Sequence, residues 1–298
     1  MLTSISQLYD LAKGSDKKKL VLAAAHDENA LDAVSKAYKA GIVDAILVGM
    51  KDKIELIAKG KGIDLSPFLV IDEATLEGAA ATSVKLVRNK DADILMKGNL
   101  ATSILLKAVL NKEWGLRSGA LLSHLSLFQA DAYHKLIALT DAAMNIAPDF
   151  PGKVALINNA VAYLNSLGLE KPKVAILGAV ESVNEAMPIT MEAAALAKMA
   201  DRGQIKNCII DGPFAFDNAI SKSSAELKGI KSPVAANADL LVCGNIEAAN
   251  ILYKTLIYFA HAQCAAVIVG AKAPIVLTSR ADSDATKLNS IALAAAVN

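Results

Sequence analysis

The chain has 298 residues, 54% of them hydrophobic and 20% charged, with a formal net charge of +1. This length supplies a large apolar core and sits where one core commonly gives way to two domains. No lysine or arginine stripe with interleaved aromatics is present, which argues against a nucleic-acid partner.

The opening residues MLTSISQLYDLAKG lack a charged region followed by an apolar stretch, so they do not read as a secretory signal. Lys17-Lys18-Lys19 reads as a solvated turn before a strand. Lys19 to Ala25 is a continuous apolar run, as expected of a strand covered on both faces. A helix follows from Asn29 to Lys39, with Leu31, Val34 and Ala37 at helical spacing and Gly41 at its end. The alternation continues with a strand at Val43 to Gly49, a helix around Lys53 to Lys59, a strand at Phe68 to Asp72 and a helix from Ala74 to Arg88. Asp93 to Lys97 is a strand running into Gly98-Asn99 and a helix from Ala101 to Leu110.

Residues 115 to 132 break the pattern, with polar groups set in apolar surroundings and few helix signals. Leu136 to Thr140 is the next strand, and Pro148-Asp149-Phe150-Pro151 starts a helix. Further strands are predicted at Lys173 to Leu177, Asn207 to Ile210, Leu240 to Cys243, Ala265 to Val269 and Ile275 to Leu277. A final helix is predicted from Asp282. Cys208, Cys243 and Cys264 lie in apolar runs without metal-ligand spacing, which suits reduced thiols in a cytoplasmic protein. The apolar segment Ala262 to Leu277 is interrupted by Gly270, Lys272 and Pro274, so no membrane span is expected.

Regular alternation of strand and helix implies an α/β fold with mainly parallel sheets. The expected division places residues 1–130 plus 278–298 in one domain and 131–277 in a second. In such sheets ligands bind beyond the carboxyl ends of the strands. The polar groups that follow the strands are His26-Asp27, Lys97-Gly98-Asn99, Thr140-Asp141, Glu181-Ser182, Asp211-Gly212, Gly244-Asn245 and Thr278-Ser279-Arg280. They include cations, hydroxyls and carboxylates but no Cys/His set for a transition metal. A GxxxxGK[ST] loop, a GxGxxG turn and a GxSxG elbow are all missing. A site of this composition suits phosphate and a second anionic ligand.

The run Leu95-Met96-Lys97-Gly98-Asn99-Leu100-Ala101-Thr102 resembles the strand-end motif of the phosphate acyltransferases, the family of phosphate acetyl- and butyryltransferases. Thr140 to Pro148, Val174 to Leu177 with Glu181 to Asn184 and Met187-Pro188, and Asp211-Gly212-Pro213 resemble further family blocks. So do Ala238 to Val242, Asn245 to Asn250 and Thr278-Ser279-Arg280, all in family order. Arg117 with Ser123-His124 looks more like the butyryl branch than the acetyl branch.

The resemblance implies two α/β/α domains similar in fold to the isocitrate and isopropylmalate dehydrogenases, with the active site in the cleft between them. It implies a homodimer or larger homo-oligomer. It also implies the reaction of acyl-CoA with phosphate, giving acyl phosphate and free CoA in a direct ternary complex. Acyl-CoA and phosphate are then the partners, and no metal or bound cofactor is expected. The alternatives are a phosphate acetyltransferase with a smaller acyl pocket, a metal- and NAD-dependent hydroxy-acid dehydrogenase of the same fold, and a non-catalytic phospholigand-binding protein.

Arg280 is expected to bind phosphate bidentately, and Ser279 to donate to the carbonyl oxygen or leaving group. Ser279 also suits a helix cap. Where the acetyltransferases carry an aspartate six positions after the Ser-Arg pair, this chain has Thr286. Asp284 is the expected general base, with Asp282 the alternative, and both also suit the first turn of a helix. Lys97, Asn99 and Arg117 are expected phosphate or CoA contacts, although Lys97 also reads as a snorkelling lysine and Arg117 as a partner for Glu113. Ser123, Asp141 and Asn145 complete the expected substrate set, Asp141 and Asn145 also suiting caps. His124 reads as a hydrogen-bonded core histidine.

Overall fold

The structure is a computed structural model and describes residues 2–14, 16–277 and 283–297. The chain divides into two compact units, one of Ser6–Ala120 with Ala265–Asn298 and one of Met1–Ile5 with Leu121–Cys264.

The first unit runs α1 (Ser6–Gly14), β1 (Lys18–Ala23), α2 (Glu28–Lys39), β2 (Val43–Gly49), α3 (Lys51–Lys61), β3 (Leu69–Asp72), α4 (Leu76–Arg88), β4 (Ile94–Lys97) and α5 (Thr102–Val109). The second runs β5 (Ser123–Gln129), β6 (Ile137–Thr140), α6 (Phe150–Ser166), β7 (Lys173–Leu177), α7 (Pro188–Asp201), β8 (Ile209–Phe214), α8 (Phe216–Ile220), α9 (Lys222–Leu227), β9 (Leu240–Val242) and α10 (Ile246–Tyr258). The chain then returns through β10 (Gln263–Val269) to the first unit, ending with β11 (Ile275–Val276) and α11 (Asp284–Ala295).

In the first unit the strand order is β3-β2-β1-β4-β11-β10, parallel except between β10 and β11. The second unit has the order β5-β6-β9-β7-β8, parallel except between β5 and β6. The fold is therefore α/β with mainly parallel strands. Apart from the two lysines that begin β1 and the one that ends β4, the central strands β1, β4, β6 and β9 are buried and mostly apolar, as strands covered by helices on both faces must be.

Helix starts follow capping chemistry. The side chains of Asp27, Thr75, Asp149, Asn245 and Ser283 each accept a hydrogen bond from a backbone N–H in the first turn of the helix they precede. In α2 the buried stripe Leu31, Val34 and Ala37 is the one the periodicity predicts, and Gly41 takes a left-handed φ of 74° just past the helix.

Within residues 115 to 132 lies a strand that the sequence pattern did not reveal. β5 reads Ser-His-Leu-Ser-Leu-Phe-Gln and is buried along nearly all its length. Its polar side chains break the apolar run, yet Ser126 Oγ donates to the Leu139 carbonyl at 3.3 Å. The His124 and Phe128 rings both pack edge-on against Tyr253. All three cysteines are free; Cys243 and Cys264 are buried, while Cys208 is only half-buried.

Candidate active site

Beyond β1 the backbone turns through Ala24, whose φ is 55°, and the loop after β4 closes onto it. Gly98 N–H donates to the Ala23 carbonyl at 2.8 Å and Asn99 N–H to the Ala24 carbonyl at 2.9 Å. A Cβ at position 98 would run into those two carbonyl oxygens, so the approach requires glycine there.

This junction borders a cavity of about 410 Å³ lined by His26, Asn29, Lys97, Asn99 and Lys287, with the amino end of α2 as one wall. Lys97 is half-buried, and its Nζ donates to the carbonyls of Gly98 and Leu100, each at 3.2 Å. Lys287, on the second turn of α11, is buried. His26 is 6% exposed, and its Nδ1 is buried without a hydrogen-bond partner among the described residues. Burial and, less strongly, Lys53 hold its pKa below the usual histidine value against an opposing pull from Asp27, so the ring is neutral at pH 7. Lys97 and Lys287 share this lining with two carboxylates, Asp27, which is committed as the cap of α2, and Glu28, which pairs with Lys61 at 2.8 Å. The cavity thus presents both signs of charge beside a helix amino end.

The other expected residues of the first unit lie outside that lining. Asp284 is exposed at the first position of α11, where Ser283 provides the cap. Thr286, which stands where an aspartate was sought, is buried with its hydroxyl 3.0 Å from that of Ser283, so it serves the helix start. Arg117 is exposed in an isolated bridge to Ala271 and makes no ion pair with Glu113 among the described residues. Ser279, Arg280 and Asp282 lie outside the described residues.

In the second unit Asp141 and Asn145 share one hydrogen-bond network, while Ser123 is held by a separate one through Asn159. Asp141 is buried just after β6; its Oδ1 accepts from the N–H groups of Ala143 at 2.9 Å and Met144 at 3.0 Å. Its Oδ2 accepts from Asn145 N–H at 3.2 Å and Asn145 Nδ2 at 2.6 Å. Asn145 Nδ2 also donates to the Leu122 carbonyl at 2.8 Å, and Asn159 Nδ2 donates to the Leu121 carbonyl at 2.6 Å and to Ser123 Oγ at 3.0 Å. A carboxylate accepting this many donors fixes the shape of residues 141–145. Asn159 was not singled out from the sequence, because mid-helix asparagines carry no positional signal. Lys287 was missed for the same reason, whereas His26 was marked only as a strand-end polar residue. Asn245 caps α10, as its position allowed, accepting from Ala248 N–H at 2.9 Å.

A second cavity, of about 760 Å³, opens beyond the carboxyl ends of β7 and β9. Leu177, Ile189, Phe216, Cys243, Ile251 and Leu252 give it an apolar wall. Burial pushes the Cys243 thiol up to about 12, so it is protonated at pH 7 and acts as an apolar wall group. Among the described residues no group of three or more His, Cys, Asp or Glu could hold a metal ion, and no helix is long and apolar enough to cross a membrane.

The chain matches the family described as phosphate acetyl/butaryl transferase over residues 3–82 and 72–295. It is 48% identical over 297 residues to the phosphate butyryltransferase of Clostridium beijerinckii, covering 100% of this chain and 98% of that protein. It is 44% identical to the phosphate acetyltransferase of Thermotoga maritima, covering 98% of each. Among solved structures, a branched-chain phosphotransacylase from Enterococcus faecalis V583 superposes with a TM-score of 0.82 at 31% identity, covering 93% of this chain and 97% of that one. With motifs, fold and full-length identity in agreement, the chain belongs to the phosphate acetyl/butyryl transferase family.

Proposed function

We propose that this protein moves a short-chain acyl group between coenzyme A and inorganic phosphate, converting butanoyl-CoA and phosphate to butanoyl phosphate and free CoA. The observation that carries this reading is the full-length identity of 48% to a phosphate butyryltransferase. In this reading a phosphate oxygen attacks the thioester carbonyl carbon within a ternary complex, a C–O bond forms, and the C–S bond breaks to release the CoA thiolate. In reverse, the CoA thiol gives its proton to a general base before sulfur attacks the acyl phosphate. Neither direction draws on a metal or bound cofactor. Positioning two anions together needs cations to offset their repulsion, and holding them in register supplies much of the rate.

Arg280 holds the phosphate bidentately, Ser279 donates to the carbonyl oxygen as it gains charge, and Asp284 is the base, with Asp282 its alternative. Lys97 and Asn99 hold a phosphate group of either ligand, and Arg117 adds a further cation. Ser123, Asp141 and Asn145 shape the loop after β6 that borders the substrate. The position of the Lys97 charge beside its cavity supports its part. The protein works in the cytoplasm as a homodimer or larger homo-oligomer. The 44% identity to a phosphate acetyltransferase supports a second reading, the same reaction with acetyl-CoA preferred. The relatives are transferases, and a dehydrogenase reading is not favoured.

Release of free CoA thiol from acetyl-, butanoyl- and hexanoyl-CoA, with and without phosphate, tests the reading. Phosphate-dependent release, reduced about 100-fold or more by Arg280→Ala, is the expected result. No release from any acyl-CoA rejects it.

A further inference from the structure

We propose that the apolar cavity beyond the carboxyl ends of β7 and β9 receives the acyl chain of the acyl-CoA, and that Ile189 sets the chain length it accepts. This deepens the phosphate acyltransferase reading and rests on it.

The location is where parallel α/β sheets bind ligands, and the volume of about 760 Å³ lies within the range of ligand pockets, roughly 300–1,000 Å³. Its chemistry selects a neutral group. Among the described lining residues only Lys153 and Glu192 are charged, and they pair with each other at 2.9 Å. Lys153 Nζ also donates to the Pro148 carbonyl at 2.7 Å, so two of its three donors are engaged within the protein and its charge is offset by Glu192. Asn245 is likewise engaged, as the α10 cap. A phosphate entering here meets one lysine, already neutralised by a carboxylate 2.9 Å away on the same wall. An alkyl chain finds Leu177, Phe216, Cys243 and Leu252.

Two glycines make the room. Gly178 follows β7 and Gly244 follows β9, and neither has a φ in the left-handed region, so their backbone conformations are open to other residues. What their lack of a side chain provides is space. A Cβ on Gly178 would come within 3.7 Å of Ile189, and one on Gly244 within 3.4 Å of it. Ile189, half-buried near the start of α7, is thus the side chain that faces both gaps. Each methylene moved from water onto such a wall is worth roughly fourfold in binding, so wall volume converts directly into a chain-length profile.

The experiment is the ratio of kcat/KM for hexanoyl-CoA to that for acetyl-CoA, with phosphate, in wild type, Ile189→Phe and Ile189→Ala. Narrowing with Phe lowers the ratio about tenfold or more, and widening with Ala raises it about fourfold. Ratios within twofold of wild type in both variants, with turnover retained, overturn the acyl assignment and leave the transferase reading standing. Absence of turnover with every acyl-CoA rejects that reading instead. Occupancy is read independently of turnover through Ile251→Cys, an exposed wall position. Its alkylation by iodoacetamide, followed by peptide mass, slows more with hexanoyl-CoA than with free CoA if the chain enters. Equal protection by the two, or none, overturns the proposal.

Discussion

The two ends of the parallel strands are built to opposite purposes. At the amino ends polar groups are closed onto one another. Asp93 accepts from Lys19 N–H at 2.8 Å while its own N–H donates to the Lys19 carbonyl at 2.7 Å, clamping β1 to β4. In the second unit Lys135, 3% exposed, pairs with Asp239 at 2.6 Å and donates to the Asn237 carbonyl at 2.8 Å. Asp239 also accepts from Lys173 N–H at 2.8 Å, and Tyr133 donates to the Ala238 carbonyl at 2.8 Å. A cavity of about 290 Å³ also lies at the amino ends beside Lys18 and Asp93. The larger two, of about 410 and 760 Å³, are at the carboxyl ends, together with glycines and a histidine nitrogen with no partner among the described residues. Polar chemistry that satisfies itself holds the sheets together, and polar chemistry left open is available to ligands.

That contrast is broken most forcefully at the amino ends. Asp239→Ala leaves the Lys135 ammonium buried without its counter-charge, and should cost about 3–5 kcal/mol in denaturant unfolding while the rate per folded molecule is unchanged. A loss of activity in the folded fraction would contradict the division. The converse variant, Lys97→Met, should lower kcat/KM about 100-fold, an effect of about 2.7 kcal/mol, and move stability by less than about 1 kcal/mol. Gly98→Ala sharpens the comparison, because the added methyl meets two carbonyl oxygens and should cost about 1–3 kcal/mol of stability.

The smallest effect is the pH response of His26. Its native pKa is lowered, so the unfolded chain binds the proton more readily and stability is lost as pH falls below about 6.5. In His26→Asn the decline in unfolding free energy between pH 7.5 and 5.5 should be shallower than in wild type. An unchanged slope would remove His26 from the account.

Most of the strand and helix alternation was legible, because β1, β2 and β4 are apolar runs and helices such as α2 carry both caps and periodicity. β5 was not, since Ser123, His124 and Ser126 are buried by partners distant in sequence, which composition cannot anticipate. The same limit applies to the candidate site. Lys97-Gly98-Asn99 could be singled out from its place after a strand, and Asp141 with Asn145 from their place after a strand and the family resemblance of residues 140–148. The contributions of Asn159 and Lys287 depend on which face of α6 and α11 turns inward. The apolar cavity was hidden for a related reason, as Ile189, Phe216 and Leu252 look like ordinary core residues until the glycines between them leave a gap.

The most direct measurement is phosphate-dependent release of CoA thiol from butanoyl-CoA by wild type, Lys97→Met and Asp239→Asn, each corrected for folded fraction. The account predicts equal rates for wild type and Asp239→Asn and a rate about 100-fold lower for Lys97→Met. Release without phosphate, or a Lys97→Met rate equal to wild type, would contradict it.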